Sequence, residues 1–577
     1  MTVTTAENHA STDDLEASAS YRRDSLGPLN FIGSGDHKVI GRMWIVASLV
    51  CGLVILAVGA LVGFERIDAL SIDVFPGLEG LGQAWTLYRL GLVFMVVVPL
   101  IIGLATAIIP LQVGSRAIAF PRAANAAFWT WLISAGIFAV SHAIDGGFVR
   151  GGGQDAVELS LMSLGFMAVS IMLATVCIMT TIITQRTEGM TLDMVPMFSW
   201  SMLVAGAVWL FSLPVLVANI VIIWVDLQGD VARYFANGLT DGIWNQLSWV
   251  TDQPQIFAFV LPLLGIAADI MPTGFREQPR LAGVVQGAIG LFGVLSFGAY
   301  AQSFFSGDSL TSPIYVLAAL GLLLPVLAIL GSWADMGRRS GEAPSVGIHG
   351  LIAIDAILLI LLGGAIAFVR VLAPLIGFLR EMPFLNEGTI NDIIDPLESL
   401  QGTSIAGAVF NVVLVAGLLG ALAGLHFWAP KLFGRKLIGP VGLLAALSLM
   451  GGAAVTAIPD VISGFLDQSD FFPLPDAVEG AAISIGDGVE TLNLVSFIGR
   501  LGLVAGVGLM LLNALGSSLL KKPEPSEYDD EDIDNPWGGH TLEWATSSPP
   551  LVENFAAPIT VGSDRPLLDL AEGEVHA

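Results

Sequence analysis

The sequence predicts an all-α membrane protein, a polytopic bundle of about twelve transmembrane helices. Of its 577 residues, 54% are hydrophobic and only 13% are charged, a balance typical of membrane-embedded chains and foreign to soluble domains. Apolar runs of about 20 or more residues recur from Val39 to Asn513, and a run of that length crosses a bilayer as a helix. The predicted helices, in order, are 39–64, 85–112, 125–144, 158–184, 199–225, 253–271, 282–305, 313–334, 346–370, 403–430, 437–459 and 492–514.

Basic residues mark one side of the predicted bundle. The turns 65–84, 226–252 and 460–491 are acidic and almost free of Lys and Arg. The alternate side carries Lys38, Arg42, Arg116, Arg122, Arg186, Arg276, Arg280, Arg338, Arg339, Lys431, Arg435, Lys436, Lys521 and Lys522. Because the side rich in Lys and Arg is cytoplasmic, both termini are predicted to be cytoplasmic.

Three segments are predicted along the chain. Residues 1–30 form a polar N-terminal segment, 31–520 a twelve-helix membrane domain, and 521–577 an acidic cytoplasmic tail without helical periodicity. The first apolar run begins behind a polar stretch, which argues against a cleavable signal peptide. Cys51 and Cys177 fall within predicted helices and are interpreted as packing residues.

The chain is strongly acidic, with a formal net charge of −26, which argues against nucleic acid as a partner. Seven carboxylates of the predicted outer loop 460–491 are accompanied by no basic residue. Such a surface attracts a basic electron carrier. A second interpretation, an acidic loop that is simply well solvated, is left open.

Five stretches resemble subunit I of the heme–copper oxidases, of the bacterial cytochrome c oxidase type. They are Asp36-His37-Lys38-Val39-Ile40-Gly41, Ile109-Pro110-Leu111-Gln112-Val113-Gly114 with Ala119-Phe120-Pro121-Arg122, Ser212-Leu213-Pro214-Val215-Leu216, Phe427-Trp428-Ala429-Pro430-Lys431, and the tail from Asn535-Pro536-Trp537 to Ser548-Pro549-Pro550. The tail match is long and specific. The resemblance implies the family's twelve-helix fold, the plasma membrane of a bacterium, and a place in the aerobic respiratory chain with partner subunits.

The resemblance also implies two hemes and one copper, which the family holds with six intramembrane histidines. Counted from neighbouring prolines and glycines, those ligand positions are occupied here by Tyr88, Gln253, Ala301, Gln302, Ala408 and Phe410. Heme iron and copper take imidazole nitrogens at such sites. Tyr88, like Arg89, is interpreted instead as an interfacial residue at the outer end of its helix. No catalytic residue, metal ligand or cofactor is therefore predicted.

The family's proton-relay positions are replaced as well. A glutamate, a tyrosine and a lysine fall on Gln255, Phe257 and Ile329, and none of these side chains titrates. The arginine pair that would hold heme propionates falls on Asp460 and Val461, and an aspartate repels a propionate.

The remaining histidines offer no substitute site. His37 precedes the first apolar run, and His9, His540 and His576 lie in polar segments. His142 is predicted about 25–30 Å from His349 and His426, across the bilayer. The latter two are interpreted as interfacial or hydrogen-bonded residues.

Three charges fall within predicted helices: Asp269, Asp355 and Arg500. Charges in a membrane are costly and mark pairs or ion pathways, although Arg500 is also interpreted as snorkelling outward. Asn411 and Gln302 are predicted to form interhelical hydrogen bonds.

Three functions follow from these observations. The first is a redox-inactive relative of oxidase subunit I, acting as a structural or assembly partner in a respiratory complex. The second is a working terminal oxidase that passes electrons from cytochrome c to oxygen and pumps protons. The third is an ion or small-molecule channel or carrier that reuses the heme cavities.

Overall fold

The chain folds into a bundle of long helices. A computed structural model describes residues 32–68, 72–149, 152–229, 241–277, 279–301, 311–341, 345–380, 403–466, 468–470, 488–519, 533–555 and 559–567. Within these ranges, β-structure is confined to isolated bridges. Twelve helices there are long and apolar enough to span a membrane, which confirms the predicted fold class.

We label these helices α1 to α12. Their bounds are α1 His37–Glu65, α2 Gly77–Gly91 continued by a π-helical turn Leu92–Val97 and by Val98–Gln112, α3 Pro121–Ala143, α4 Gln154–Thr184, α5 Met197–Gln228, α6 Gln255–Val260 with Pro262–Phe275, α7 Ala282–Leu295, α8 Thr311–Gly321 with Leu323–Ser340, α9 Ile348–Arg380, α10 Ser404–Phe427, α11 Gly439–Gly464 and α12 Val489–Leu519. Shorter helices are Asp241–Leu247 and Ala429–Phe433.

Helices α2 and α10 form the centre of the bundle. Every residue of α10 is buried, and α2 is buried throughout its most apolar window. A helix that is apolar on all sides is stable when other helices surround it, because it has no polar face that requires solvent. The predicted heme-ligand positions on these two helices, Tyr88, Ala408 and Phe410, therefore lie in the core.

Two boundaries differ from the predicted ones. Helix α9 continues to Arg380, so the first part of the predicted outer connection 371–402 is helical and residues 381–402 lie outside the described ranges. Helix α11 runs to Gly464 and includes Asp460, which was assigned to the outer loop. Both extensions remain largely apolar, and each continues through a proline, Pro374 in α9 and Pro459 in α11, that the sequence pattern favours as a helix end.

The C-terminal tail packs on one end of the bundle, called here the tail side. Trp537 Nε1 donates to Phe427 O at 2.9 Å, and Val561 N donates to Glu188 O at 2.9 Å. His37 is buried at the start of α1, not ahead of it, and its Nε2 lies 3.0 Å from Asn554 Oδ1. The described part of the tail is thus a structural element of the bundle.

Candidate functional site

The predicted heme-ligand position on α2 is occupied by a fully engaged tyrosine. Tyr88 is 4% exposed, and its hydroxyl donates to Asn411 Oδ1 on α10. Its ring lies 6.0 Å from the Phe410 ring in an edge-to-face contact, which leaves no gap for a flat group between the two rings. The predicted interhelical role of Asn411 is confirmed, whereas the interfacial assignment of Tyr88 is wrong.

Arg89, the next residue, is also buried, and its interfacial assignment is wrong as well. Its guanidinium group pairs with the Asp470 carboxylate. The same group lies over the Trp85 ring at 5.0 Å and over the Phe410 ring at 4.3 Å. The aromatic faces and the carboxylate together stabilise a charge that is only 6% exposed.

Arg500 on α12 is held inside the bundle and does not snorkel. Its Nη2 lies 3.5 Å from Asp460 Oδ2, and its guanidinium lies 5.9 Å from the Tyr88 ring centroid. Asp460 is 1% exposed and accepts a 2.9 Å hydrogen bond from Ser496 Oγ. Asp460 is therefore a buried ion-pair partner, and it contributes nothing to an exposed acidic surface.

Around the start of α6, the replaced family positions are satisfied by local hydrogen bonds. Gln255 Nε2 donates to Ser212 Oγ at 3.1 Å, and Gln255 Oε1 accepts from Gly298 N at 2.9 Å. Gln253 Nε2 reaches Ala367 O at 3.4 Å. Phe257 packs edge to face on Phe292 with ring centroids 6.2 Å apart. These side chains link helices, and none is placed to exchange a proton.

Three of the other predicted positions, Ala408, Phe410 and Ile329, are apolar and buried. Ala408 and Ile329 are completely buried, and Phe410 is 1% exposed. Ala301 ends a short turn after α7, and Gln302 lies outside the described residues. The described side chains at the predicted ligand positions thus offer no imidazole, and they do not fit the ligand set of two hemes and a copper. Among the described residues, no group of three or more His, Cys, Asp or Glu is arranged to hold a metal ion.

The described histidines are dispersed as packing residues. His142 Nδ1 lies 2.9 Å from Phe138 O at the far end of α3. His349 lies against Trp537 with ring centroids 4.5 Å apart, and His426 packs closely on Gly442. The cysteines are also free packing residues, as predicted.

A second polar cluster, on the tail side, has no counterpart in the sequence prediction. Gln112 Nε2 donates to Asp269 Oδ2 at 3.0 Å and to Glu543 Oε1 at 3.3 Å. Asp269 also accepts from the backbone N–H groups of Met197 and Phe198, at 2.8 and 3.0 Å, and so caps the start of α5. Asp355 is half-buried on α9 and takes no part in this cluster. The assignment of the tail as a separate polar segment concealed the role of Glu543.

The burial of the Glu543 carboxyl group leads us to predict that docking of the tail depends on pH. Burial raises its pKa above the ordinary value of 4.5, although Gln112 and Trp428 donate to it. A raised folded-state pKa contributes stability that is complete below pH 4.5 and is lost as the pH rises through the raised value. We expect the melting temperature of the wild-type protein to fall as the pH rises from 4.5 through the raised pKa of Glu543. The Glu543→Gln variant should lack the part of this fall that comes from Glu543.

The matched control is Glu553→Gln, because Glu553 is an exposed carboxylate of the same tail. Thermal unfolding of the purified protein across the pH series provides the measurement. Wild-type and Glu543→Gln curves that run parallel across the window would contradict the assignment.

Comparison with known proteins gives the family. The family described as "Cytochrome C and Quinol oxidase polypeptide I" matches residues 39–501. "Cytochrome c oxidase subunit 1" of Bacillus subtilis is 26% identical, covering 91% of this chain and 80% of the relative. "Quinol oxidase subunit 1" of the same organism is also 26% identical, covering 94% and 80%. "Probable cytochrome c oxidase subunit 1-alpha" of Streptomyces coelicolor is 26% identical over 98% and 94%.

A solved structure has the same fold. The cryo-EM structure of a heme-copper terminal oxidase dimer superposes with a TM-score of 0.62 at 13% identity, covering 94% of this chain and 99% of the other. A superposition at this low identity shows that the fold is shared. The chemistry of the site has to be argued from the residues of this chain. The predicted resemblance is confirmed, because the family match spans most of the bundle. This chain belongs to the heme–copper oxidase subunit I family and is a cytochrome c oxidase subunit I-like, multi-pass membrane protein of the respiratory chain.

Proposed function

We propose that this chain is a redox-inactive member of the family that serves as a structural or assembly partner within an aerobic respiratory complex. The observation that carries the proposal is the contact of Tyr88 with Asn411 and Phe410. Two of these three residues stand where the family has heme ligands. The tyrosine hydroxyl is committed to an amide, and the phenylalanine has no donor atom to offer iron.

The surrounding charges support the same proposal. Two buried ion pairs, Arg89 with Asp470 and Arg500 with Asp460, lie beside the Tyr88 ring. A buried charge without its partner is strongly destabilising, so each of these arginines requires its aspartate. The aspartate at 460 would oppose the negative charge of a propionate, and it is used here to neutralise an arginine.

The test is a reduced-minus-oxidised absorption spectrum of the purified full chain with its natural partners. We expect no heme band attributable to this chain and no stoichiometric copper, since the side chains at the ligand positions lack imidazole. The Bacillus subtilis cytochrome c oxidase subunit 1, prepared in parallel, controls for loss of pigment during purification. One ligated low-spin heme per chain would overturn the proposal.

A working terminal oxidase is the second candidate. The printed names of the relatives, cytochrome c oxidase and quinol oxidase, favour it, and they leave the electron donor open between a cytochrome and a quinol. Oxygen consumption by the purified protein with one companion subunit would support this candidate, and its absence together with an empty spectrum would exclude it.

A channel or carrier is the third candidate. Transport through reused heme cavities requires a continuous polar path, whereas Ala408 and Phe410 are packed in the apolar core. Uptake by reconstituted vesicles is the test that separates this candidate from the first.

Partners and placement complete the proposal. Because the relatives are named as subunits, we propose other subunits of a membrane respiratory complex as partners, within the lipid bilayer of the bacterial plasma membrane. Both termini are proposed to be cytoplasmic, with segments 1–30, 31–520 and 521–577 as in the sequence analysis. We also propose a basic cytochrome as a partner at the acidic outer loops. Asp460 and Asp470 are engaged in ion pairs, so the other acidic residues of 460–491 would form the surface that attracts it.

A further inference from the structure

Four buried charged groups and one partly buried one, Asp470 with its side chain 13% exposed, meet at the end of the bundle opposite the tail. Arg66 follows α1, Arg89 lies on α2, Arg500 lies on α12, and Asp460 and Asp470 face them from α11 and the segment after it. The three arginines are 5–6% exposed, and Asp460 is 1% exposed. Four helices or their ends, α1, α2, α11 and α12, therefore bring three cations and two anions together in one largely buried region.

The charges in this cluster do not cancel. Arg89 pairs with Asp470, and Arg500 pairs with Asp460. Arg66 has no ion-pair partner among the described residues, because its nearest carboxylates are the two already paired. Counted over the described residues, the cluster consequently carries one net positive charge in a largely buried region.

The described acids next to the cluster, Glu65 and Asp252, are engaged elsewhere. Glu65 Oε2 accepts the backbone N–H of Phe75 at 3.0 Å. Asp252 lies 2.5 Å from Arg370, and each neutralises the other. Burial lowers the pKa of Arg66, Asp460 raises it, and Arg500 lowers it again. The neighbouring carboxylates therefore compensate only part of the effect of burying the guanidinium group.

Four buried nitrogen atoms of the three arginines lack an acceptor among the described residues, and Asp460 Oδ2 lacks a donor there. In the described part of the structure, Nε and Nη2 of Arg66, Nε of Arg89 and Nε of Arg500 are buried without an acceptor. A buried, unpaired charge and a buried, unmade hydrogen bond each cost free energy. One bound anion removes both costs, because it accepts from several N–H groups and cancels the single excess charge.

We propose that this cluster binds one small monovalent anion, of the size and charge of chloride, against Arg66. A divalent anion would over-neutralise the cluster, which already contains two carboxylates. A lipid phosphate is too large for a site whose arginines are 5–6% exposed. The bound anion would stabilise the end of the bundle where α1, α2, α11 and α12 meet.

The experiment measures the melting temperature of the purified full chain as chloride replaces gluconate at constant ionic strength. We expect a saturable rise with chloride, since a ligand that binds only the folded state raises its stability. Sulfate should give only the non-saturable rise of a salt that is excluded from the protein surface. Arg66→Gln should abolish the rise. Arg116→Gln, which removes an exposed arginine on the tail side, should retain it.

A second variant keeps the test decisive if Arg66→Gln does not fold. Arg66→Lys preserves the charge but loses the forked donors, so the half-saturating chloride concentration should rise by roughly tenfold, the factor that corresponds to one charged hydrogen bond. Equal melting temperatures in chloride and gluconate would overturn the proposal. So would an equal response to sulfate, a response that follows anionic lipid instead of chloride, or a response that Arg66→Lys leaves unchanged.

Discussion

Asp460→Asn is expected to lower the free energy of unfolding by about 3–5 kcal/mol, the usual cost of removing one partner from a buried ion pair. The carboxylate is 1% exposed and lies 3.5 Å from Arg500. Asparagine fills the same space and still accepts from Ser496, so the change removes charge and little else. The Arg500 guanidinium then stays buried next to Arg66 without its counterion.

The measurement is thermal or denaturant unfolding in detergent, and two further variants are measured in parallel. Adding Arg500→Gln to Asp460→Asn removes the stranded charge and should recover much of the loss, because replacing a whole buried pair is far less costly than breaking it. Asp335→Asn provides the matched control, since Asp335 pairs with Arg339 at 3.0 Å but is 30% exposed. A surface pair of that kind contributes about 0–1 kcal/mol. Losses of equal size at Asp460 and Asp335 would contradict the buried-pair assignment.

Hydropathy was sufficient to predict the bundle. A run of about 20 apolar residues has one low-energy solution in a bilayer, a spanning helix, because every backbone polar group must be satisfied within it. The twelve predicted runs correspond to α1–α12. Ends were less predictable: α9 continues to Arg380 through apolar residues that a loop would not require.

The charge cluster was not predictable from the same pattern. Tyr88 and Arg89 stand at the end of an apolar run, and residues in that position are usually interfacial. Their partners, Asn411 and Asp470, come 323 and 381 residues later, and no local spacing connects them. The available signal was the presence of Arg500 and Asp460 within apolar segments, since charges in a membrane are usually paired.

The docking of the tail was not predicted, for a related reason. Its acidic beginning and lack of helical periodicity indicate a solvated segment, but Trp537 and Trp544 are out of place in one. Aromatic side chains of that size bury large apolar surfaces, and in the structure both contact the end of α10. Isolated tryptophans in a polar tail were the sequence signal for docking.

Trp544→Ala is expected to release the tail from the bundle. Trp544 is 2% exposed, its ring lies 5.1 Å from Phe427, and the Lys431 ammonium group lies 5.4 Å from the ring centroid. Truncating a buried tryptophan costs about 3–5 kcal/mol. A loss of that size exceeds what the remaining contacts of a short segment are expected to supply, so the tail should open locally while the helices stay folded.

Cleavage by glutamyl endopeptidase after Glu553 reports the opening, because Asn554 beside it is held against Ser115 and Lys38 in the docked state. The cleavage rate should rise steeply in Trp544→Ala, while the melting temperature of the bundle changes little. Leu551→Ala is the control, since Leu551 lies in the same segment and is 41% exposed. Unchanged protection in Trp544→Ala would mean that the polar contacts of Glu543 and Asn554 hold the tail on their own, and the aromatic contact would then be incidental.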